Sequence, residues 1–297
     1  MDTRNIWRPV AYEAEKWNTP EVTAVCAEYD VLRKEWLASR DKLAASGGLR
    51  ELTERVKRRQ AIETGLIEGM YTLDRGITET FIERGFKEAY LAHDSTNIPQ
   101  WKLMEYLEDN KAGIDEIFDF VKSDRELTAG YIKELHVLIT RHQDTTEAID
   151  QFGNHFNAKL LKGEYKTRPN NPSRGGVVFG YCPPEQVASQ MDELIRVYGG
   201  ALADAHILIK AAFLHRAFTQ IHPFQDGNGR CARLLAGIAL IKDGMFPLIV
   251  DRTERGNYID AIEAADSENY LPLIAFFEEN QHAALSRLLR GYNFERL

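Results

Sequence analysis

Apolar positions recur at three- and four-residue intervals along most of the chain, broken by short stretches rich in glycine, proline and asparagine. That spacing puts one face of a helix against a core. From Pro20 to Ser46 the residues are mainly good helix formers, and Gly47-Gly48 is a stop. A second helix is predicted from Leu49 to about Met70, with Leu52, Val56, Ile62, Leu66 and Met70 near one stripe. The polar segment LAHDSTNIPQ, 91–100, reads as the junction between an N-terminal helical region, 1–95, and the remainder, 96–297. Further helices are predicted near 101–122, over 127–143 with Thr128 as N-cap, over 184–198 and 204–220, from within 227–244, and once or twice over 257–292.

The helical rhythm fails between Gly163 and Pro184. There EYKTR and GVVFGY have strand composition and flank PNNPSRGG, a run of turn formers, which predicts a β-hairpin over 164–181. The fold class is therefore mostly α with one hairpin.

Composition narrows the function more by exclusion. The net charge of −8 and pI near 5.6 leave no overall basic surface for nucleic acid, although Arg55–Arg59 is a local basic run on a helical stretch. Three widely spaced cysteines, Cys26, Cys182 and Cys231, make neither a disulfide framework nor a zinc site. No apolar window approaches the ~20 residues of a membrane span, and the first residues carry early charges, unlike a secretory signal. A cytoplasmic protein that binds neither nucleic acid nor membrane is the expectation.

Chemistry concentrates in IHPFQDGNGR, 221–230. Cys231, Leu234, Leu235, Ile238 and Ile241 form the stripe of a buried helix, so DGNG precedes its first turn. A helix N-terminus has unpaired N–H groups and partial positive charge, and glycines let a ligand approach them, which makes an anion site suited to phosphate. Arg230 and Arg233, three residues apart, extend it. Asp226 supplies hard oxygen ligands for Mg²⁺. His222, with a near-neutral pKa, suits removal of a proton from a hydroxyl. No GxxxxGK[ST] P-loop occurs anywhere in the chain.

HPFQDGNGRCAR, 222–233, resembles the signature of the Fic family, HPFx[DE]GNGRxxR, at every specified position. KELHVLI (133–139), GEYK, AAFLHRAF and GNYIDAIEAA extend the resemblance over roughly 98–280. It implies a compact helical-bundle core with a β-hairpin flap, binding of ATP with Mg²⁺, and transfer of AMP to a Ser, Thr or Tyr hydroxyl of a target protein. By position, His222 resembles the base, Asp226 the Mg²⁺ ligand, and Gly227, Asn228, Gly229 and Arg230 the phosphate contacts. Arg233 resembles the arginine that receives the γ-phosphate, and Phe224 the buried loop anchor. The related Doc toxins carry lysine at the position of Gly229 and transfer phosphate, so Gly229 favours AMP transfer. The hairpin over 164–181 would then align the target by strand pairing.

TGLIEG, Thr64 to Gly69, resembles the inhibitory motif [ST]xxxE[GN] of one Fic subgroup, carried on a helix N-terminal to the core. The resemblance implies that Glu68, with Thr64 and Gly69, forms a regulatory element in which Glu68 pairs with Arg233 and competes with the γ-phosphate for one guanidinium fork. His93, His142, His155 and His282 are read as structural, and His136 and His215 as packing or hydrogen-bonding residues. Two alternatives stay open: removal of AMP from a modified protein at the same site, and a non-catalytic helical interaction protein that senses nucleotide. Homo-oligomerisation is compatible with the sequence.

Overall fold

The predicted helical stretches become α2 (Pro20–Ala45), α3 (Gly48–Ile67), α5 (Gln100–Lys122) and α6 (Ala129–Ile139), and two helices not predicted, α1 (Ala14–Trp17) and α4 (Arg75–Arg84), join them. Strands β1 (Thr145–Ile149), β2 (His155–Lys159), β3 (Ser173–Arg174) and β4 (Val177–Val178) follow. Helices α7 (Val187–Gly199), α8 (Ile207–Ile221), α9 (Asn228–Lys242), α10 (Arg255–Asp266) and α11 (Leu271–Gly291) come after them. The computed structural model describes residues 7–149, 154–171, 173–174, 177–178 and 180–291.

Local chemistry sets these boundaries. Thr19 caps α2 by accepting from Val22 N at 3.3 Å, with Pro20 at the first helical position. Thr128 caps α6 by accepting from Tyr131 N at 3.1 Å, as its sequence position predicts.

Helices α8 and α9 are buried along most of their length and form the centre of the molecule. Trp36 and Leu43 of α2 and Leu52, Val56 and Ile67 of α3 lie in the same apolar cluster as the core of α8 and α9. Trp36 Nε1 also donates to Gly244 O at 2.9 Å, and Tyr29 to Asp243 at 2.9 Å, fixing α2 to the end of α9. A second cluster, Ile62, Tyr71, Leu73, Phe81, Ile82, Leu103 and Leu107, joins α3, α4 and α5. Bonds from Arg233 to Thr64 place the C-terminal end of α3 beside the first turns of α9. Among the described residues no helix is long and apolar enough to cross a membrane.

The chain is mostly α, as expected, but its strands differ from the predicted hairpin. The longer hairpin is β1–β2, antiparallel from Thr145 opposite Lys159 to Ile149 opposite His155. Its residues are mostly exposed, so no alternation of apolar residues announces it. Within 164–181 only β3 and β4 pair, Ser173 with Val178 and Arg174 with Val177. Residues 164–168 are not a strand, because Lys166 N donates to Pro223 O at 2.8 Å rather than to a ladder. Residues 172, 175–176 and 179 of that expected hairpin lie outside the described residues.

Candidate active site

The α8–α9 loop is built so that its side chains hold its own backbone. His222 ends α8 in the left-handed conformation, φ 50°, which is uncommon for a residue with a Cβ. Gly227 caps α9 at φ 77°, where a Cβ would press on His136 and Thr140 at 3.2–3.3 Å. Phe224 is fully buried and stacks on His136 with centroids 3.9 Å apart. His136 uses both nitrogens, Nε2 donating to Asp226 O at 2.9 Å and Nδ1 accepting from Gly163 N at 2.8 Å. Burial lowers its pKa to about 4, which keeps it neutral for those roles.

His222 Nδ1 donates to Thr219 O at 3.1 Å, which fixes the tautomer and leaves Nε2 as the free basic nitrogen. The Tyr181 ring lies flat on the imidazole, 3.9 Å between centroids and 4° between planes. Burial lowers the His222 pKa to about 3, well below the near-neutral value expected from the sequence, the Thr219 bond opposing and the Lys166 charge adding to the effect, so the ring is neutral near pH 7.

Asp226 is held at both oxygens. Oδ1 accepts from Gly227 N at 2.5 Å, and Oδ2 accepts from Gln143 at 2.6 Å and Thr146 at 3.1 Å. The Gln143 carbonyl accepts in turn from Arg230. The other end of the Arg230 guanidinium donates to Ile139 O at 2.9 Å, so this buried arginine braces the loop against α6. Asn228 is buried as well: its amide accepts from Phe224 N at 2.9 Å and donates to Phe224 O at 2.8 Å. The Asn228 side chain is thus a staple of the loop, and its backbone N–H stands at the start of α9, where helix donors lack intrahelical partners.

The α3 end enters the same place from the other side. Arg233, 2% exposed, donates from Nε and Nη2 to Thr64 Oγ1 at 2.9 and 2.8 Å and from Nη2 to Glu68 Oε1 at 2.6 Å. Burial acts to lower the guanidinium pKa, but Glu68 and Tyr258 outweigh it and the pKa is raised. Gly69 ends α3 in a left-handed turn, φ 67°. A Cβ at Gly229 would meet Glu68 Oε1 at 2.3 Å. The carboxylate therefore lies over the N-terminus of α9, where an anion is favoured.

His222, Gly229, Arg233 and Glu68 line one cleft of about 270 Å³, closed by Tyr181, Tyr258, Ile259 and Ile262. The structure brings the predicted base, arginine, glycine and inhibitory glutamate together there. Asp226 is not among the residues lining that cleft; Gln143 and Thr146 hold its carboxylate, and Arg230 bonds Gln143 and Ile139 O. Gln143 and Thr146 lie in no singled-out stretch, and Lys166, Tyr181 and Tyr258 lie in GEYK, GVVFGY and GNYIDAIEAA without a role assigned from sequence, so the part each plays is visible only in three dimensions. Among the described residues no group of three or more His, Cys, Asp or Glu side chains is placed to hold a metal. A lone carboxylate suits Mg²⁺ only where phosphate oxygens and water supply the other ligands, and Asp226 beside a helix N-terminus has that form.

Residues 126–240 match the family model described as Fic/DOC family. The protein adenylyltransferase fic-1 of Caenorhabditis briggsae is 25% identical over 233 residues, covering 76% of this chain and 40% of the relative. The protein adenylyltransferase Fic of Drosophila persimilis is 34% identical over 158 residues, or 52% of this chain and 27% of the relative. The chain thus spans less than half the length of these curated relatives. A solved structure of a Fic family protein from Desulfovibrio desulfuricans G20 superposes with a TM-score of 0.68 at 20% identity, over 96% of this chain and 77% of that one, a likeness of fold.

Proposed function

This chain belongs to the Fic/DOC family, and from that premise we propose that it is an autoinhibited protein adenylyltransferase that moves AMP from ATP to a hydroxyl side chain of a target protein. The observation that carries the reading is a histidine with Nδ1 pinned to Thr219 O and Nε2 free, in one cleft with the α9 N-terminus and Arg233. The names of the two curated relatives point the same way.

In this reading His222 Nε2 takes the proton of the target hydroxyl. The oxygen bonds to the α-phosphorus, the bond from that phosphorus to the bridging oxygen breaks, and pyrophosphate leaves. The N–H groups at Asn228 and Gly229 and the Arg233 guanidinium oppose the charge on the phosphates. Asp226 is the residue that would hold Mg²⁺, which when bound neutralises phosphate charge. The β3–β4 pair, a few residues before Tyr181 of the cleft wall, is the element that would align the target backbone. The N-terminal region up to about residue 95 serves as the regulatory part through α3, because Glu68 occupies Arg233 and the anion position over Gly229.

Glu68 and His222 in one cleft also suit the reverse task, hydrolysis of an AMP–protein bond with Glu68 aligning a water. Labelling decides between them. A Glu68→Gly protein given ATP labelled at the α-phosphate should label protein, and ATP labelled at the γ-phosphate should not. His222→Ala on that background should cut the rate by ~10²–10⁴-fold while ATP still binds. Label arriving from the γ-position would make this a phosphotransferase, and loss of AMP from a modified target on adding the parent protein would favour the hydrolytic reading.

A further inference from the structure

Lys166 is a buried cation that the proposed chemistry does not use. It is 3% exposed, and no carboxylate pairs with it among the described ion pairs. A buried, unpaired ammonium is costly, so its contacts must be specific. Nζ donates to Ile221 O at 3.3 Å and to Asn170 Oδ1 at 2.8 Å. Its backbone N–H donates to Pro223 O at 2.8 Å, and Asn170 Nδ2 donates to Phe224 O at 2.8 Å. Leu161 N reaches the Gln225 side chain at 2.8 Å. The carbonyls thus held, Ile221, Pro223 and Phe224, flank the left-handed turn at His222.

The same segment holds the ring on its outer face. Asn171 Oδ1 accepts from Tyr181 N at 3.0 Å, and Lys166 Nζ stands 5.8 Å from the Tyr181 ring, which stacks on the imidazole. Burial lowers the Lys166 pKa to about 8, which leaves the ammonium largely charged at neutral pH.

We infer that residues 161–171 are a strap across the catalytic loop and that Lys166 is a positioning residue, holding the His222 backbone in its left-handed turn and the imidazole between Tyr181 and Thr219. This rests on the reading of His222 as the base. A strained turn persists only where its surroundings over-determine it, and Lys166 and Asn170 supply that constraint. Displacing a reacting group by ~1 Å costs on the order of 10²-fold in rate.

The test is Lys166→Met, which removes the donor and keeps most of the stem, made on the Glu68→Gly background. With ATP and an acceptor protein, kcat should fall on the order of 10²-fold while KM for ATP stays within about threefold. Nitrogen-15 spectra of the His222 ring, assigned with His222→Ala, should show one protonated and one free nitrogen in the unsubstituted strap. In Lys166→Met the two resonances should draw together as the tautomer is released. Unchanged kcat, a parallel loss of ATP affinity, or an unaltered imidazole spectrum would each overturn the strap. Should Lys166→Met fail to fold, Asn170→Ala carries the same expectations. If Glu68→Gly transfers nothing at all, the catalytic reading fails instead, and the imidazole spectrum still decides the strap because it needs no turnover.

Discussion

Asn228 shows how a motif residue can differ in use from its expected role. Its amide bonds both the N–H and the C=O of Phe224 inside the protein, so it fixes the α8–α9 loop. Asn228→Ala would leave the buried Phe224 N–H unpaired, at about 1–3 kcal/mol, while Phe224 O keeps the Asn170 amide as its donor. Urea unfolding should register a loss in that range, and a variant as stable as the parent would show that water replaces the amide. Arg230 likewise braces the loop against Ile139 O. The residue types and their order were legible in the sequence because glycine, a helix start and charged side chains announce an anion site. Which side chain turns inward was not, because that depends on contacts with α6, Gln143, Thr146 and Lys166, all distant in the chain from 222–233.

At the scale of elements, α3 is the part of the N-terminal region that reaches Arg233 of α9. Its Glu63 is almost wholly buried, accepting from Arg252 N at 3.2 Å. Burial raises its pKa from 4.5 to about 7, with Asp251 acting the same way and Arg252 and Arg59 opposing. A carboxyl whose pKa is raised on folding stabilises the fold fully below its unfolded pKa and loses that contribution as pH rises through about 7. Glu63→Gln should therefore be more stable than the parent at pH 8, by roughly 3 kcal/mol at most, with the gap closing toward pH 4.5. Chemical denaturation at both pH values checks this, and an equal gap at the two would refute the assignment. The long helices were readable because their apolar period is sustained. Helix α4 was not, since RGITETFIER contains glycine and β-branched residues and follows a turn. Nor was β1–β2, whose exposed faces need no apolar alternation.

The whole molecule carries its site on two buried helices, and buried neutral histidines sit on both sides of it. Burial lowers His136 to about 4 and His215 to about 3. His215 Nε2 meets the Tyr258 hydroxyl at 2.6 Å, and Tyr258 in turn bonds Arg233. A histidine whose pKa falls on folding contributes stability present above its unfolded pKa of 6.5 and lost as pH drops toward the folded value. The pair should lower stability by a few kcal/mol between pH 6.5 and 4, outweighing the opposite trend of Glu63. Melting temperatures across that range test it, and a flat profile would mean that the two sites open to water. The family core was legible at this scale because one loop signature recurs with its flanking helices. The Glu68–Arg233 contact was expected from TGLIEG, whereas the contacts of 161–171 with the 221–225 loop join distant segments and show only in the fold.

The central claim is that the Glu68 carboxylate holds Arg233 and the anion position over α9. The most direct test is the initial rate of protein labelling from α-labelled ATP for the parent, Glu68→Gly, and Glu68→Gly combined with Arg233→Ala. The account predicts a low rate, a high rate and a low rate in that order, because the second substitution removes the phosphate's partner along with the inhibitor's. A Glu68→Gly protein no faster than the parent would contradict it.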